Sequence, residues 1–341
     1  MSRRLRVAIL AGGRSSEHEI SLASGRSVHE ALDPARYDVI TISIGRDGRW
    51  ALASGVESLA AGRPGETLPV PAHDSSPAVV GSVDVVLPIL HGPFGEDGTV
   101  QGLLDLMDVA YVGAGVAGSA VAMDKDLFKK VMRDSGIPVA RHHALRLGDP
   151  VANPLGYPVF VKPARLGSSV GIAKVHDESE LGPAVELARR HDEKVLVEEF
   201  VAGMEVECGV LGNQRPPPVA SLPGRIDTLE HEWYDYASKY AEGGMELVIP
   251  PDLPQETIEL VQRRAVESFV VSECEGMARV DFFVRDDGEV VVNELNTIPG
   301  FTATSVYAKL FEASGIPYRE LLDRLIELAL ERHERRSKLL Y

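Results

Sequence analysis

A hairpin centred on Asp287-Gly288 constrains this chain more than any other stretch of its sequence. Two apolar runs flank this dipeptide, which is favoured in tight type I′ turns. A two-residue loop at this position pairs Asp281 directly with Glu294, and Arg279 directly with Asn296. Side chains alternate along a strand, so all four would lie on one face of the hairpin. The sequence therefore predicts a small, strongly polar surface on an otherwise apolar hairpin.

Two carboxylates that face each other across a strand pair need a cation between them. Asp281 and Glu294 would repel at that distance, and Asn296 adds a third oxygen donor beside them. Such an oxygen-only set suits magnesium, which keeps coordination places for phosphate oxygens. The alternative is an exposed hairpin with ordinary surface charges, but that would not require facing pairs that include Arg279. We expect a platform for a metal and a nucleotide.

Composition excludes several classes of protein. The chain has 341 residues, of which 44% are hydrophobic, enough for a large core in two or three domains. A net charge of −16 argues against nucleic-acid or anionic-membrane partners. Cys208 and Cys274 are too few for a disulfide framework, and no apolar run is long enough for a signal peptide or a membrane span. We expect a cytoplasmic protein that acts on small molecules, without nucleic acid or membrane insertion.

Strands and helices alternate in the first third of the chain. Strands are predicted at Leu5 to Leu10, Val39 to Ile44 and Val83 to Leu90, which indicates an open parallel sheet. Ligands of such sheets bind beyond the carboxyl ends of the strands, where Glu17 and His91 fall. Glu17 could instead simply cap a helix, and a histidine after a buried strand is often a satisfied polar group. The glycine-rich segment after His91 favours a binding role, since glycine permits close backbone approach to a ligand.

A glycine- and serine-rich loop joins two strands in the middle of the chain. The strands are Tyr157 to Val161 and Ile172 to Val175, and the loop is Gly167 to Gly171. Its amides and hydroxyls can surround phosphate oxygens, and Lys162 at its base supplies a positive charge. A plain hairpin is an equal alternative for this stretch alone. The metal hairpin downstream favours phosphate binding.

A short apolar connector carries acids at both ends. Glu198 and Glu205 flank Val201, and such a connector can hold a purine by backbone hydrogen bonds and a ribose through a carboxylate. An edge strand with solvated glutamates is the commoner alternative. Residues 224 to 244 lack clean periodicity, which suits a functional loop.

Nine short segments follow one another through nearly the whole chain. They are Ala11–Ser21, Leu90–Gly92, Gly95–Gly102, Met123–Lys125, Val161–Pro163, Gly167–Gly171, Tyr234–Tyr240, Ala278–Asp281 and Asn293–Gly300. In this order they resemble the ATP-grasp superfamily and, within it, the D-alanine–D-alanine ligases of bacterial cell-wall synthesis. The resemblance implies an α/β protein, α+β in its C-terminal half, with three domains. These would be an N-terminal substrate domain with the open parallel sheet (1–122), a central lid domain (123–212) and a C-terminal domain with the metal site and a closing loop (213–341).

The resemblance also implies ATP bound between the central and C-terminal domains, with two magnesium ions that manganese can replace. The implied nucleotide contacts are Lys125, Lys162, Gly167, Ser168, Ser169, Glu198, Val201, Glu205 and Lys239. The implied metal ligands are Asp281, Glu294 and Asn296, the same residues that the hairpin pairing indicates.

The implied reaction joins two D-alanines through an acylphosphate to give D-alanyl-D-alanine for peptidoglycan. The implied catalytic residues are Glu17, Ser168, Tyr240, Arg279, Gly300 and Ser305, and the implied substrate contacts are Glu17, His91, Lys239, Arg279 and Ser305. Glu17, Ser168 and Tyr240 would form a hydrogen-bonded group that closes the site. The family is usually homodimeric.

Four alternatives remain. Relatives that make D-alanyl-D-lactate lack the tyrosine motif at 234–240, and its presence here favours a dipeptide product. An ATP-grasp ligase for another small acid and a kinase that stops at phosphoryl transfer share the same machinery. A catalytically inactive nucleotide-binding regulatory module should have lost some of Lys162, Arg279, Asp281, Glu294 and Asn296, and all are present.

Overall fold

The N-terminal part of the protein is built on a mostly parallel sheet, as the alternating pattern predicts. The computed structural model describes residues 3–52, 80–228 and 245–340. The strands of this sheet are β1 (Leu5–Gly12), β2 (Tyr37–Ile44), β3 (Trp50–Leu52), β4 (Val85–Ile89) and β5 (Ala110–Tyr111), in the order β3-β2-β1-β4-β5. Among them β3 alone is antiparallel to its neighbour. The helices of this part are α1 (His18–Ala31) and α2 (Thr99–Leu106). All of β4 is buried, as expected for a central parallel strand covered on both faces.

The middle of the chain forms a four-stranded antiparallel sheet. Two helices, α3 (Val116–Met123) and α4 (Lys125–Asp134), lead into it. Its strands are β6 (His142–Leu145), β7 (Val159–Pro163), β8 (Ala173–Val175) and β9 (Val195–Glu199), in the order β6-β9-β7-β8. Helix α5 (Glu178–Arg189) packs on this sheet through an apolar stripe that includes Leu181 and Val185. The glycine- and serine-rich loop therefore joins two strands that pair, β7 and β8.

A third, antiparallel sheet carries the predicted metal hairpin. Its strands are β10 (Met204–Gly212), β11 (Val219–Ala220), β12 (Gly224–Thr228), β13 (Met245–Val248), β14 (Gly276–Val284) and β15 (Val290–Asn296). The order is β13-β12-β10-β14-β15, with β11 beside β10. The helices are α6 (Gln255–Val271), α7 (Val306–Ala313) and α8 (Tyr318–Ser337). Part of the segment predicted to be aperiodic thus forms β12; residues 229–244 lie outside the described ranges.

The turn of the metal hairpin differs from the prediction, whereas its facing pairs are confirmed. Arg285 N–H donates to Glu289 O at 2.9 Å, which leaves a three-residue loop in which only Gly288 has a positive φ, 86°. The predicted two-residue type I′ turn is therefore wrong. A register shift after Asp281 offsets the extra residue, so that Asp281 still pairs with Glu294.

Helix α8, near the C-terminus, packs against the N-terminal parallel sheet. Its Leu322 and Leu325 belong to the same buried core as Val7 and Leu87 of the parallel sheet. Arg332, also on α8, is buried and donates to the carbonyl of Tyr111 at 2.7 Å. The predicted domain limits at residues 122 and 212 stay predictions. The second limit assigns strand β10 to the central domain, but β10 pairs with β14 of the third sheet. In the described ranges no helix combines the length and apolar character that a membrane span requires.

Candidate active site

A cleft of about 560 Å³ lies between the central sheet and the third sheet. It takes one wall from the loop after β7 and the end of β9, and the other from β10, β14 and β15. The predicted site residues that line it are Lys125, Lys162, Gly167, Ser168, Ser169, Glu198, Val201, Glu205, Asp281 and Glu294. All the predicted nucleotide contacts that the structure describes therefore meet at one cleft, although they come from distant parts of the sequence.

Glu17 contacts the loop at the mouth of this cleft. It immediately precedes α1, but its carboxylate makes no capping hydrogen bond to the helix. Instead it accepts a hydrogen bond from the Ser168 hydroxyl. Gly92 has a φ of 74°, and a Cβ there would come within 2.9 Å of the Glu17 carboxylate. The close approach of these segments therefore depends on glycine.

Two side chains from the loop after β4 bind one residue of the loop after β15. The buried His91 ring places Nδ1 at 3.0 Å from the carbonyl oxygen of Ile298. Glu96 accepts a hydrogen bond from the amide of the same Ile298 at 3.1 Å and another from Gly92 N–H at 2.6 Å. Burial lowers the pKa of His91, whereas burial and then the Glu17 carboxylate raise the pKa of Glu96 to about 8. Sequence reasoning missed Glu96, although it lies within the recognised segment Gly95–Gly102.

Glu198 is held between two lysines inside the cleft wall. Lys162 Nζ donates to one carboxylate oxygen at 2.5 Å, and Lys129 Nζ lies 2.9 Å from the other. Burial opposes ionisation of Glu198, but Lys129 and Lys162 outweigh it and lower its pKa to about 2. Lys129 is fully buried and also donates to the carbonyl of Asn293 at 3.0 Å. Sequence reasoning missed Lys129, because it occupies an ordinary helical position.

Lys125 contacts both the residue before the glycine- and serine-rich loop and the hairpin of β14 and β15. Its Nζ donates to the carbonyl of Leu166 at 2.9 Å and lies 3.3 Å from Glu294 Oε2. It begins α4, which Asp124 caps by accepting a hydrogen bond from Leu127 N–H. A positive charge is thereby fixed at the point where the two walls of the cleft meet.

The polar face of the hairpin is organised around Asp281. Arg279 donates to both of its oxygens, each at 2.7 Å, and the Asn296 amide donates to Oδ2 at 3.0 Å. Glu207, on β10, pairs directly with Asp281 from the other side and lies 3.0 Å from Arg279 Nε. The three carboxylates of Glu207, Asp281 and Glu294 thus stand side by side across three neighbouring strands. Sequence reasoning missed Glu207, since it lies outside the hairpin.

This arrangement has the donor set of a magnesium site. Asp281 and Glu294 provide carboxylate oxygens and Asn296 an amide, which are the hard ligands that magnesium prefers. Within residues 3–52, 80–228 and 245–340 no group of three or more His, Cys, Asp or Glu side chains has the arrangement of a metal site. The predicted set differs from such a group because its third member is an amide.

Gly300 and Ser305 lie in the loop that follows the metal hairpin. The Ser305 hydroxyl accepts a hydrogen bond from Thr302 N–H at 3.0 Å, and it would lie 3.3 Å from a Cβ placed on Gly300. Tyr318, on α8, anchors the same loop by donating to the carbonyl of Phe301 at 2.8 Å. The structure therefore brings Gly300 and Ser305 together.

Other predicted residues do not line the cleft itself. These are Glu17, His91, Arg279, Asn296, Gly300 and Ser305. Glu17 accepts a hydrogen bond from the cleft residue Ser168. Arg279 and Asn296 donate hydrogen bonds to the cleft residue Asp281. Lys239 and Tyr240 lie outside the described residues, so their predicted places remain predictions.

Two family models match most of the chain. The model described as D-ala D-ala ligase N-terminus matches residues 6–114, and the one described as D-ala D-ala ligase C-terminus matches residues 131–327. A D-alanine–D-alanine ligase from Solibacter usitatus is 47% identical over 339 residues, which cover 98% of this chain and 98% of that protein.

Solved structures of related ligases share the fold. The D-alanine–D-alanine ligase of Coxiella burnetii superposes with a TM-score of 0.84 at 38% identity, over 99% of this chain and 97% of that one. The VanG D-Ala:D-Ser ligase of Enterococcus faecalis also gives 0.84, at 34% identity, over 96% of this chain and 100% of that one. The superpositions cover nearly the whole chain, and the chain belongs to the D-alanine–D-alanine ligase family.

Proposed function

We propose that this protein joins two molecules of D-alanine, at the expense of ATP, into D-alanyl-D-alanine for peptidoglycan synthesis. The observation that carries the proposal is the cleft between the second and third sheets. Its lysines, its glycine- and serine-rich loop and its paired carboxylates are the groups that a bound nucleotide and its metal require. Family membership supports D-alanine as the substrate, since residue types alone do not specify chirality.

ATP would bind in this cleft with its phosphates toward the hairpin. Lys125 and Lys162 would contact the phosphates, and the loop that contains Ser168 and Ser169 would close over them. Glu198, Val201 and Glu205, with Lys239, would complete the contacts to the nucleotide. Asp281, Glu294 and Asn296 would hold two magnesium ions, or manganese in their place, and the metal would neutralise charge on the transferring phosphoryl group.

A carboxylate is a poor electrophile, so the first D-alanine must be activated before the second can attack it. Transfer of the γ-phosphoryl group to that carboxylate gives an acylphosphate, and the amine of the second D-alanine then displaces phosphate. Glu17 would bind the ammonium group of the first D-alanine, and His91 would border it. Arg279 and the amide of Gly300 would stabilise the oxyanion of the tetrahedral intermediate.

The second D-alanine would bind beside the loop after β15. Ser305 and Lys239 would hold its carboxylate. Water must be excluded because acylphosphates hydrolyse, and the hydrogen bond between Glu17 and Ser168 supports a closing role for the loop of Ser168. Tyr240 would complete this closing group. We further propose that the protein is cytoplasmic and homodimeric, as expected for its family.

The second substrate is the least constrained part of the proposal. A D-Ala:D-Ser ligase shares the whole fold at 34% identity, so the fold alone does not select the acceptor. The tyrosine motif at residues 234–240 favours an amino acid over D-lactate. A ligase that uses D-serine or D-lactate is therefore the second candidate.

Release of ADP tests the proposal directly. The purified protein is incubated with ATP and magnesium together with D-alanine, L-alanine, D-alanine plus D-serine, or D-alanine plus D-lactate, and the products are then separated. ADP release with D-alanine alone, matched by dipeptide, is expected. ADP release without any condensed product would support a kinase, and no release with any alanine would contradict the substrate assignment. A dominant mixed product would identify the second candidate.

A further inference from the structure

Among the described residues, Arg279 contacts two acidic side chains, one on its own strand β14 and one on the neighbouring strand β10. Its guanidinium donates to both oxygens of Asp281 on its own strand β14, and its Nε also lies 3.0 Å from Glu207 Oε2 on β10. The Glu207 side chain is 5% exposed and the Arg279 side chain 14% exposed, so solvent screens these contacts only weakly. Both acids hold the same guanidinium in the described structure.

A metal ion on Asp281 would weaken these contacts. Both of its oxygens accept hydrogen bonds from Arg279, and one accepts a further bond from Asn296. A carboxylate offers about four lone-pair sites, so a cation can bind at the remaining one, but its positive charge would repel the Arg279 guanidinium and draw on the negative charge that attracts it. The bidentate pair between Arg279 and Asp281 is then weakened at the moment when Arg279 has to be correctly placed.

Glu207 is positioned to retain Arg279 under those conditions. It pairs directly with Asp281 across β10 and β14, whereas Glu294 pairs with Asp281 on the opposite side, from β15. Strands β10 and β15 are about 10 Å apart, since neighbouring strands are separated by about 4.8 Å. A metal held between Asp281 and Glu294 therefore lies on the far side of Asp281 from Glu207.

We propose that Glu207 is a positioning residue, which keeps the Arg279 guanidinium directed at the reacting carboxyl group once Asp281 is engaged by metal. Glu207 also lines the cleft, and in the proposed role it acts through Arg279 rather than on the metal or the reacting atoms. In this arrangement Asp281 alternates between partners while Arg279 stays fixed by Glu207. The inference rests on the proposed function, because it assigns Arg279 to the oxyanion.

The test compares Glu207→Gln with the wild-type protein in the ligation reaction. Loss of the charged partner should lower kcat about tenfold to a hundredfold, as is typical when the partner of a functional group is removed. The KM for ATP and the magnesium concentration for half-maximal rate should change less than about threefold, because metal and nucleotide contacts are retained. Glu207→Asp should recover part of kcat. The affinity for magnesium and ATP, measured by calorimetry without D-alanine, should equal that of the wild type.

A double-mutant comparison separates positioning from a general structural effect. In a protein that already carries Arg279→Gln, adding Glu207→Gln should change kcat less than about twofold, because no cation is left for Glu207 to hold. Glu289→Gln, which breaks the ion pair with Arg285 near the turn of the same hairpin, is the matched control and should keep wild-type kinetics.

Three results would overturn the inference. The first is additive effects of the two substitutions. The second is a magnesium requirement raised more than about tenfold in Glu207→Gln, which would show that Glu207 acts on the metal site. The third is wild-type kcat in that variant. If the wild-type protein itself forms no dipeptide, the proposed function fails. If the wild-type protein forms dipeptide, the kinetics of the Glu207 variants test the role of Glu207 alone.

Discussion

Replacing the buried Lys129 with methionine should destabilise the protein by up to about 3 kcal/mol. Lys129 has no exposed surface, lies 2.9 Å from Glu198 and donates to the carbonyl of Asn293. Methionine has a similar volume, so the substitution removes charge and hydrogen bonding with little change in packing. Among the described residues, Glu198 would be left buried with Lys162 as its remaining lysine partner.

The pKa of Glu198 gives the magnitude. Its ordinary value of 4.5 falls to about 2 in the folded protein. Since a tenfold change in acid dissociation corresponds to about 1.4 kcal/mol, its ionised form stabilises the fold by about 3 kcal/mol, a contribution that Lys129 and Lys162 supply together and that therefore bounds the loss of Lys129 from above. Because the folded pKa is lowered, this stabilisation is present above the unfolded pKa of 4.5 and is lost as the pH falls toward 2. Breaking a buried pair by removing one partner typically costs about 3–5 kcal/mol, which agrees with this value.

Urea unfolding at neutral pH measures the effect. The triple variant Lys129→Met/Lys162→Met/Glu198→Gln should recover most of the lost stability, because it leaves none of the three buried charges without a partner. Lys338→Met, which removes an exposed lysine from an ion pair with Glu334, should leave the unfolding midpoint unchanged. A loss below about 1 kcal/mol in Lys129→Met, or no recovery in the triple variant, would refute the reasoning.

Three further predictions concern the hairpin, the following loop and the titration of a buried acid. Glu294→Gln should abolish dipeptide formation by weakening metal binding, and an active variant in a coupled ADP assay would refute its role as a ligand. Tyr318→Phe should lower the free energy of unfolding by about 1 kcal/mol, since it removes the hydrogen bond to the Phe301 carbonyl; an unchanged urea midpoint would contradict this. Because the pKa of Glu96 is raised from 4.5 to about 8, its contribution to stability should be fully present below pH 4.5 and be lost as the pH rises toward 8. Glu96→Gln should remove that slope, and parallel slopes in urea titrations of both proteins would show that Glu96 does not cause it.

The facing pairs of the metal hairpin were predictable although the turn was not. Alternation along a strand determines which side chains share a face, and two apolar runs around Asp-Gly indicate a hairpin. The loop length proved to be three residues, and a bulge after Asp281 restored the pairing with Glu294. The sequence pattern does not show a bulge, because the extra residue is accommodated by backbone geometry within the sheet.

The sequence by itself determined strands β1, β2 and β4 of the parallel sheet, the glycine- and serine-rich loop and the residue types of the site. These follow from periodicity, turn chemistry and short motifs, all of which act over a few neighbouring residues. The tertiary structure alone decided which polar groups of the interior meet. Glu96 and His91 bind Ile298, more than two hundred positions away, and Glu207 joins Arg279 from another strand. The physical reason is that a buried charge is stabilised by whichever partner the packing of distant elements brings to it, and a single sequence does not encode that distance locally.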